Sequence, residues 1–490
     1  MIRRASIVVA VALAMLGLFA LDRGTGGGAR LETAVAHPSL PASGHASTWY
    51  CPAVGAAGST TLTHVVIVTN PDRKVLHARV TGFKAAPGTA IKAIEVAPLS
   101  QVEVPSLGPD VTGVVVELLD GRGTVAHRLS GTNAEDTGRC TDTPARSWYF
   151  PSANTELGSS ATLWLLNPFP TDASLDISVA TPDGVRVPQN FGGLVIPGGT
   201  SRRIELADSV QRRPQFAFSV VATSGQIVAE LAQISDAEGG LRGLRLQLGV
   251  SNPGRRWLLA DGFGGAASSE QLVVYNTVGA QVHVSVAVIP AGVDVSALPE
   301  PFEIDVPSHR FAVIDLNAET RLDDQGLRSF RVEAGSDVVV ERVVSMRGEG
   351  GDGSARTRPQ VRSGLASSTG SAVTAHEWLL DGVDPKTESP LSVAMISNPS
   401  PSAIAVVQLF AIIGGSRIEI GQSQEVQAGT TLAFDLTGAF PTAAGSVLVE
   451  SHSPIVVEGR TTAATHRDLS VIEAVPGAGI APLASTGGGS

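Results

Sequence analysis

The residues most able to do chemistry are two cysteines. Cys51 stands beside a tryptophan at the start of the first of four similar stretches, and Cys140 stands just before the second begins. In an oxidising compartment this placement reads as a single disulfide tying together the two ends of one domain. A metal site would need more ligands nearby, and a reactive thiol would need a neighbouring His or Lys. The ten histidines are scattered without a pair at metal-ligand spacing, which predicts surface or turn positions. His376-Glu377 lacks the second histidine of a zinc helix, and no nucleophile elbow or phosphate-binding loop occurs. The run Gly348 to Gly353 holds too few carboxylates for a calcium loop. The expectation is a protein without catalytic residues, metal or cofactor, and so not an enzyme.

These residues are positioned by a repeated body. Each of four stretches opens on a tryptophan: Trp49, Trp148, Trp257 and Trp378. A short apolar run then ends in Asn70, Asn167, Asn276 or Asn398, three of them followed by proline and the third by Thr277. A later apolar run ends in His127, Glu230, Glu341 or Glu458, about 80 residues after each tryptophan, as tandem repeats require. The indoles are expected to pack in cores at strand starts. Asparagine before proline reads as a strand end closed by a side-chain turn. A catalytic carboxylate would not recur on three bodies with His on the fourth, so the Glu series reads as a surface strand position.

The bodies read as β-structure. Val282, Val284, Val286 and Val288 alternate with His283, Ser285 and Ala287, the period of a half-buried strand. Leu175, Ile177 and Val179 repeat it before the turn Pro182-Asp183-Gly184. Paired apolar runs around Asp120-Gly121, Ser224-Gly225, Gly335-Ser336 and His452-Ser453-Pro454 read as hairpins. The count and rhythm predict an all-β chain of tandem antiparallel, immunoglobulin-like β-sandwiches. The alternative is a β-propeller built from the same four repeats.

The expected divisions are a signal-anchor or signal peptide over 1–24 and a flexible stalk over 25–46. Repeat domains occupy 47–142, 143–252 and 253–346. A linker over 347–374, a fourth domain over 375–475 and a disordered tail over 476–490 complete the chain. Arg3 and Arg4 precede an apolar run from Ala5 to Leu21. That pattern exports the remainder of the chain and seats residues 5–21 in the cytoplasmic membrane. Ala34-Val35-Ala36 resembles a cleavage site, so secretion after cleavage is the alternative. The net charge of −11 argues against a nucleic-acid partner, which needs clustered cations facing phosphates.

With Trp49-Tyr50-Cys51-Pro52, Trp148-Tyr149-Phe150-Pro151, Leu163 to Asn167-Pro168 and Leu175 to Val179, the chain resembles an uncharacterised actinobacterial family. Its members are membrane-anchored exported proteins carrying a domain of unknown function. The resemblance implies no activity, and the family's gene neighbourhood implies an association with envelope glycan assembly. The expected role is a non-catalytic extracytoplasmic scaffold or binding module for a cell-envelope protein or a surface glycan. The alternative is a glycan-acting hydrolase on a propeller, with two carboxyl groups about 5–9.5 Å apart. Scarce aromatics, 4% of the chain, favour a protein partner over free sugar.

Overall fold

Each repeat folds as two antiparallel sheets, because alternating apolar residues on facing strands bury one common core. The computed structural model describes residues 46–484, apart from 56–61, 132–133, 237–241, 265–267, 292, 294–297, 323–325, 347–363, 384–391, 437–438, 441–444, 463–468 and 478–479. The export segment over 1–24, nearly all of the stalk and the front of the linker lie outside the described residues. Among the described residues no helix is long and apolar enough to cross a membrane.

In the first repeat one sheet runs Ser47–Cys51, Val111–Leu118, Leu76–Lys84, Thr89–Val96. The other runs Ser100–Pro105, Thr63–Asn70, Thr124–Ser130, Glu135–Arg139. The second repeat copies both orders, with Ser147–Ala153 and Arg242–Leu248 in the places of the first and last strands. In the third and fourth, Leu327–Met346 and Gly445–Thr462 are single long strands that serve both sheets. The sheets are sandwich layers and not propeller blades, so the propeller alternative is set aside.

The four expected hairpins are corners instead. Val111–Leu118 pairs with Leu76–Lys84, whereas Thr124–Ser130 pairs with Thr63–Asn70 in the opposite sheet. The Asp120-Gly121 turn therefore carries the chain across the sandwich. In repeats three and four the corresponding chain crosses without breaking its strand. The local pattern of two apolar runs around a Gly or Pro turn is the same for a hairpin and a corner. Only the choice of partner strand separates them.

The recurring tryptophans are buried, from 0 to 2% exposed. Three indole N–H groups donate to the carbonyl at the matching corner: Ile227, Val338 and Ile455. Trp49 donates to Ser47 Oγ. The four asparagines are equally buried and share one bonding pattern. Asn276 Nδ2 donates to the carbonyls of Ala280, Val306 and Pro307, and its Oδ1 accepts from Val278 N–H. Asn70, Asn167 and Asn398 repeat this fork, clipping the turn to the strand end across the sandwich. Proline is dispensable here, since Thr277 leaves the fork intact. Asn276→Ala strands these buried carbonyls and is expected to destabilise the chain by roughly 3 kcal/mol. A thermal midpoint equal to that of the unaltered chain would contradict it.

Two segments depart from expectation. The linker's second half, Gly364–Thr369, is a fully buried strand paired with Glu341 to Met346. Its small Gly, Ala and Ser residues mimic linker composition, yet small residues are what a crowded interior strand requires. The start of the tail is ordered too: Val475–Pro476 pairs with Trp378 and Leu379, and Ala481–Pro482 with Val373 and Thr374. Leu483 is 3% exposed, and residues 485–490 lie outside the described residues.

The last strand of each repeat is also the innermost. Glu135–Arg139 lies against Arg242–Leu248, which lies against Gly364–Thr369; that strand lies against Leu469–Glu473, which returns to Glu135–Arg139. The four sandwiches therefore contact one another in closed cyclic order within one compact unit, Ala36–Ser490.

Candidate functional site

The residues with unusual chemistry gather where one repeat meets the next. Glu230 and Glu341 are 0% exposed and Glu458 4%, so the expected surface position is a buried one. His127, at the same register, is 0% exposed and His64 is 4% exposed, against the expected surface or turn placement of histidines. A buried carboxylate must find donors or lose its charge. These find them in the neighbouring repeat. Glu230 accepts from Ala53 N–H of the first repeat at 3.0 Å and contacts His127 Nε2 at 2.8 Å. Glu458 accepts from Asp261 N–H of the third at 2.6 Å. Glu341 pairs with Arg245 of the second, which also donates to the Ser152 carbonyl.

The docking partners share a register as well. Ala53, Ser152 and Asp261 each stand four residues after the repeat's tryptophan, and Gly382 stands there in the fourth. Gly382 has φ +72°, and a Cβ there would lie 3.0 Å from Ile67 Cδ1 of the first repeat. Gly138, opposite His127, similarly leaves room: a Cβ would lie 3.0 Å from Glu230 Oε1.

The junction of repeats three and four holds the largest network. Arg342 bridges Asp261 at 2.9 Å and Glu270 at 3.1 Å. Arg460 pairs with the other Asp261 oxygen at 2.9 Å, and Arg328 with Glu270 at 2.7 Å. Arg460 and Arg342 also lie 4.4 and 5.9 Å from the Phe263 ring centre. Near the centre, Asp136 of the first repeat accepts from Leu246 N–H of the second at 2.6 Å and from the Ser470 hydroxyl of the fourth. Glu473 of the fourth accepts from Thr369 N–H of the third at 2.6 Å and pairs with Arg139 of the first at 2.7 Å. His376 and Glu377 part company: His376 Nδ1 meets the Ser451 carbonyl, while Glu377 pairs with Arg122 of the first repeat at 3.1 Å.

Burial pushes three of these acids up, Asp136 and Glu458 to about 8 and Glu341 to about 7, and it pushes buried Asp381, which accepts from the Ser446 hydroxyl, to about 6. Desolvation disfavours the charged form more than the surrounding donors favour it. Asp136 and Glu458 are therefore protonated at pH 7 in the folded chain, whereas unfolded carboxyls titrate near about 4. The stability they contribute is complete below that value and is lost as pH rises through 8. Burial, with His127 adding, holds His64 well below its usual value, so His64 opposes folding only on the acid side. The thermal midpoint is expected to fall by several degrees between pH 7 and 9, and Glu458→Gln should flatten that fall. A midpoint constant over this range would contradict the assignment.

Among the described residues no three His, Cys, Asp or Glu side chains are grouped to hold a metal. Cys51 and Cys140 form the disulfide, with both sulfurs buried. The four tryptophans and four asparagines do not converge: the side-chain N–H groups of each donate within its own repeat. One signal for the junctions was present in the sequence: Glu341-Arg342 interrupts a run of valines from Val338 to Val344, where a charged pair has to be buried.

Fold and junctions together define a class: an all-β protein of four fused sandwiches with a disulfide in the first. Over residues 135–355 the chain matches a family of unknown function, DUF5719. No curated protein matches it. Among solved structures it is similar to a Thermotoga maritima protein, 16% identical, covering 24% of this chain and 95% of that one with a TM-score of 0.19. It is also similar to a tetra-tandem repeat from the extending region of a large adhesion protein, 12% identical, covering 90% and 100% with a TM-score of 0.11.

Proposed function

We propose that this protein is a non-catalytic scaffold or binding module of the cell envelope. It is anchored in the cytoplasmic membrane through residues 5–21, with its four sandwiches outside. Its partner is an envelope protein or a surface glycan, and its role is accessory to envelope glycan assembly. The carrying observation is the cyclic junction chemistry: buried acids fasten repeat to repeat at three junctions, and Arg122–Glu377 and Arg139–Glu473 close the fourth, within one compact unit. A compact unit presents its surfaces with less of the ordering cost that a flexible string of domains would incur on binding. The Cys51–Cys140 disulfide supports the extracytoplasmic placement, because such bonds persist in oxidising compartments.

In-cell crosslinking of the anchored chain, followed by mass spectrometry, tests the reading. Recovery of one dominant membrane glycosyltransferase or transporter, or of a defined glycan, is the expected result. Recovery of abundant wall proteins alone would contradict it.

A further inference from the structure

The junctions are not equivalent, and the difference marks a place for a ligand. Between repeats one and two the space is filled by apolar side chains, among them Trp164, Ile234, Leu244 and Leu62. Between repeats three and four it is filled by Phe263, Val344, Met346 and Leu469. Between repeats two and three Ala180, Ala217 and Tyr275 pack with Tyr149 and Phe311, and beside them a groove of about 470 Å³ remains. That volume lies within the ~300–1,000 Å³ typical of sites for small ligands.

The groove's lining is mixed: Phe311, Val313, Val343 and Leu365 stand beside amide and hydroxyl side chains, as the two unlike faces of a sugar ring require. Asn154, Gln215 and Gln271 offer side-chain amides, each with donors and an acceptor. Half-buried Phe311 offers part of an aromatic face on which the C–H side of a sugar ring can stack. Arg245 lines the same groove and is 2% exposed. Its Nη1 and Nη2 are engaged by Glu341 and Ser152, but its Nε has no hydrogen-bond partner among the described residues. A buried donor left without a partner carries a desolvation penalty that a ligand oxygen would remove.

We propose that this groove is a carbohydrate-binding site that takes a short stretch of a glycan chain, with Phe311 as the stacking platform and the amides fixing the hydroxyls. The assignment rests on the binding-module reading above and names its ligand class.

The test uses the full chain on an array of defined neutral and uronic-acid oligosaccharides, followed by calorimetric titration with the strongest binder. Phe311→Ala and Gln271→Ala are compared with Gln226→Ala, an exposed change outside the groove. Thermal midpoints establish that each variant is folded. Phe311→Ala is expected to weaken binding about tenfold, Gln271→Ala to weaken it measurably, and Gln226→Ala to leave it unchanged. Absence of any oligosaccharide binding would overturn the proposal. Binding that survives both groove variants would also overturn it, while leaving the wider envelope-binding reading in place.

Discussion

Arg342→Met is expected to destabilise the chain by about 3–5 kcal/mol, because breaking a buried ion network strips two buried carboxylates of a charged donor. Arg342 is wholly buried and pairs with both Asp261 and Glu270. Without it, Arg460 and Arg328 each still hold one acid, but Asp261 Oδ2 and Glu270 Oε1 lose their guanidinium donor inside a buried site. Methionine retains an unbranched stem of similar length, so the loss reports electrostatics more than volume. Glu270→Gln removes the acid that Arg342 holds, so the double variant should lose less than the sum of the two single variants. The measurement is the denaturant midpoint of the single and double variants. An additive double variant, as unstable as the sum of its parts, would show that the three groups do not act as one network.

Replacing both cysteines with serine is expected to remove about 4–5 kcal/mol. The cross-link closes 89 residues, and loop-entropy models scale the effect with the logarithm of that length. The bond joins the first strand of repeat one to the end of its innermost strand, where Tyr50 and Thr141 also exchange backbone hydrogen bonds of 2.7 and 3.1 Å. Those bonds keep the native arrangement available, so the loss falls mainly on the unfolded chain. Both sulfurs are buried, so reductant should leave the folded chain intact and lower the midpoint only once unfolding exposes the bond. A double variant with an unchanged midpoint would show that repeat one is held without its cross-link.

The repeats, their β character and the disulfide were legible because each is written locally. Alternating valines mark strands, a tryptophan and an asparagine mark each body, and two cysteines at the ends of one body find each other. The junctions were not legible, because their partners lie far apart in sequence. Glu230 finds Ala53 across 177 residues and Glu458 finds Asp261 across 197. A glutamate closing an apolar run has the same local appearance whether it faces water or a backbone N–H of another repeat. The strand Gly364–Thr369 was hidden for a related reason. Its residues are small because strands of the second and fourth repeats crowd it, and small polar residues in sequence look like a linker. Corners passed for hairpins because the turn chemistry is common to both.

The central claim is that the recurrent acids at three junctions, with the Arg122–Glu377 and Arg139–Glu473 pairs at the fourth, join four sandwiches into one closed unit, not a string of domains. Small-angle X-ray scattering of the unit Ala36–Ser490 tests it directly. A single compact body of this length has a radius of gyration of about 22 Å. That value, with a bell-shaped Kratky profile, is the predicted result. An elongated profile with several separated maxima in the distance distribution and a much larger radius would contradict it.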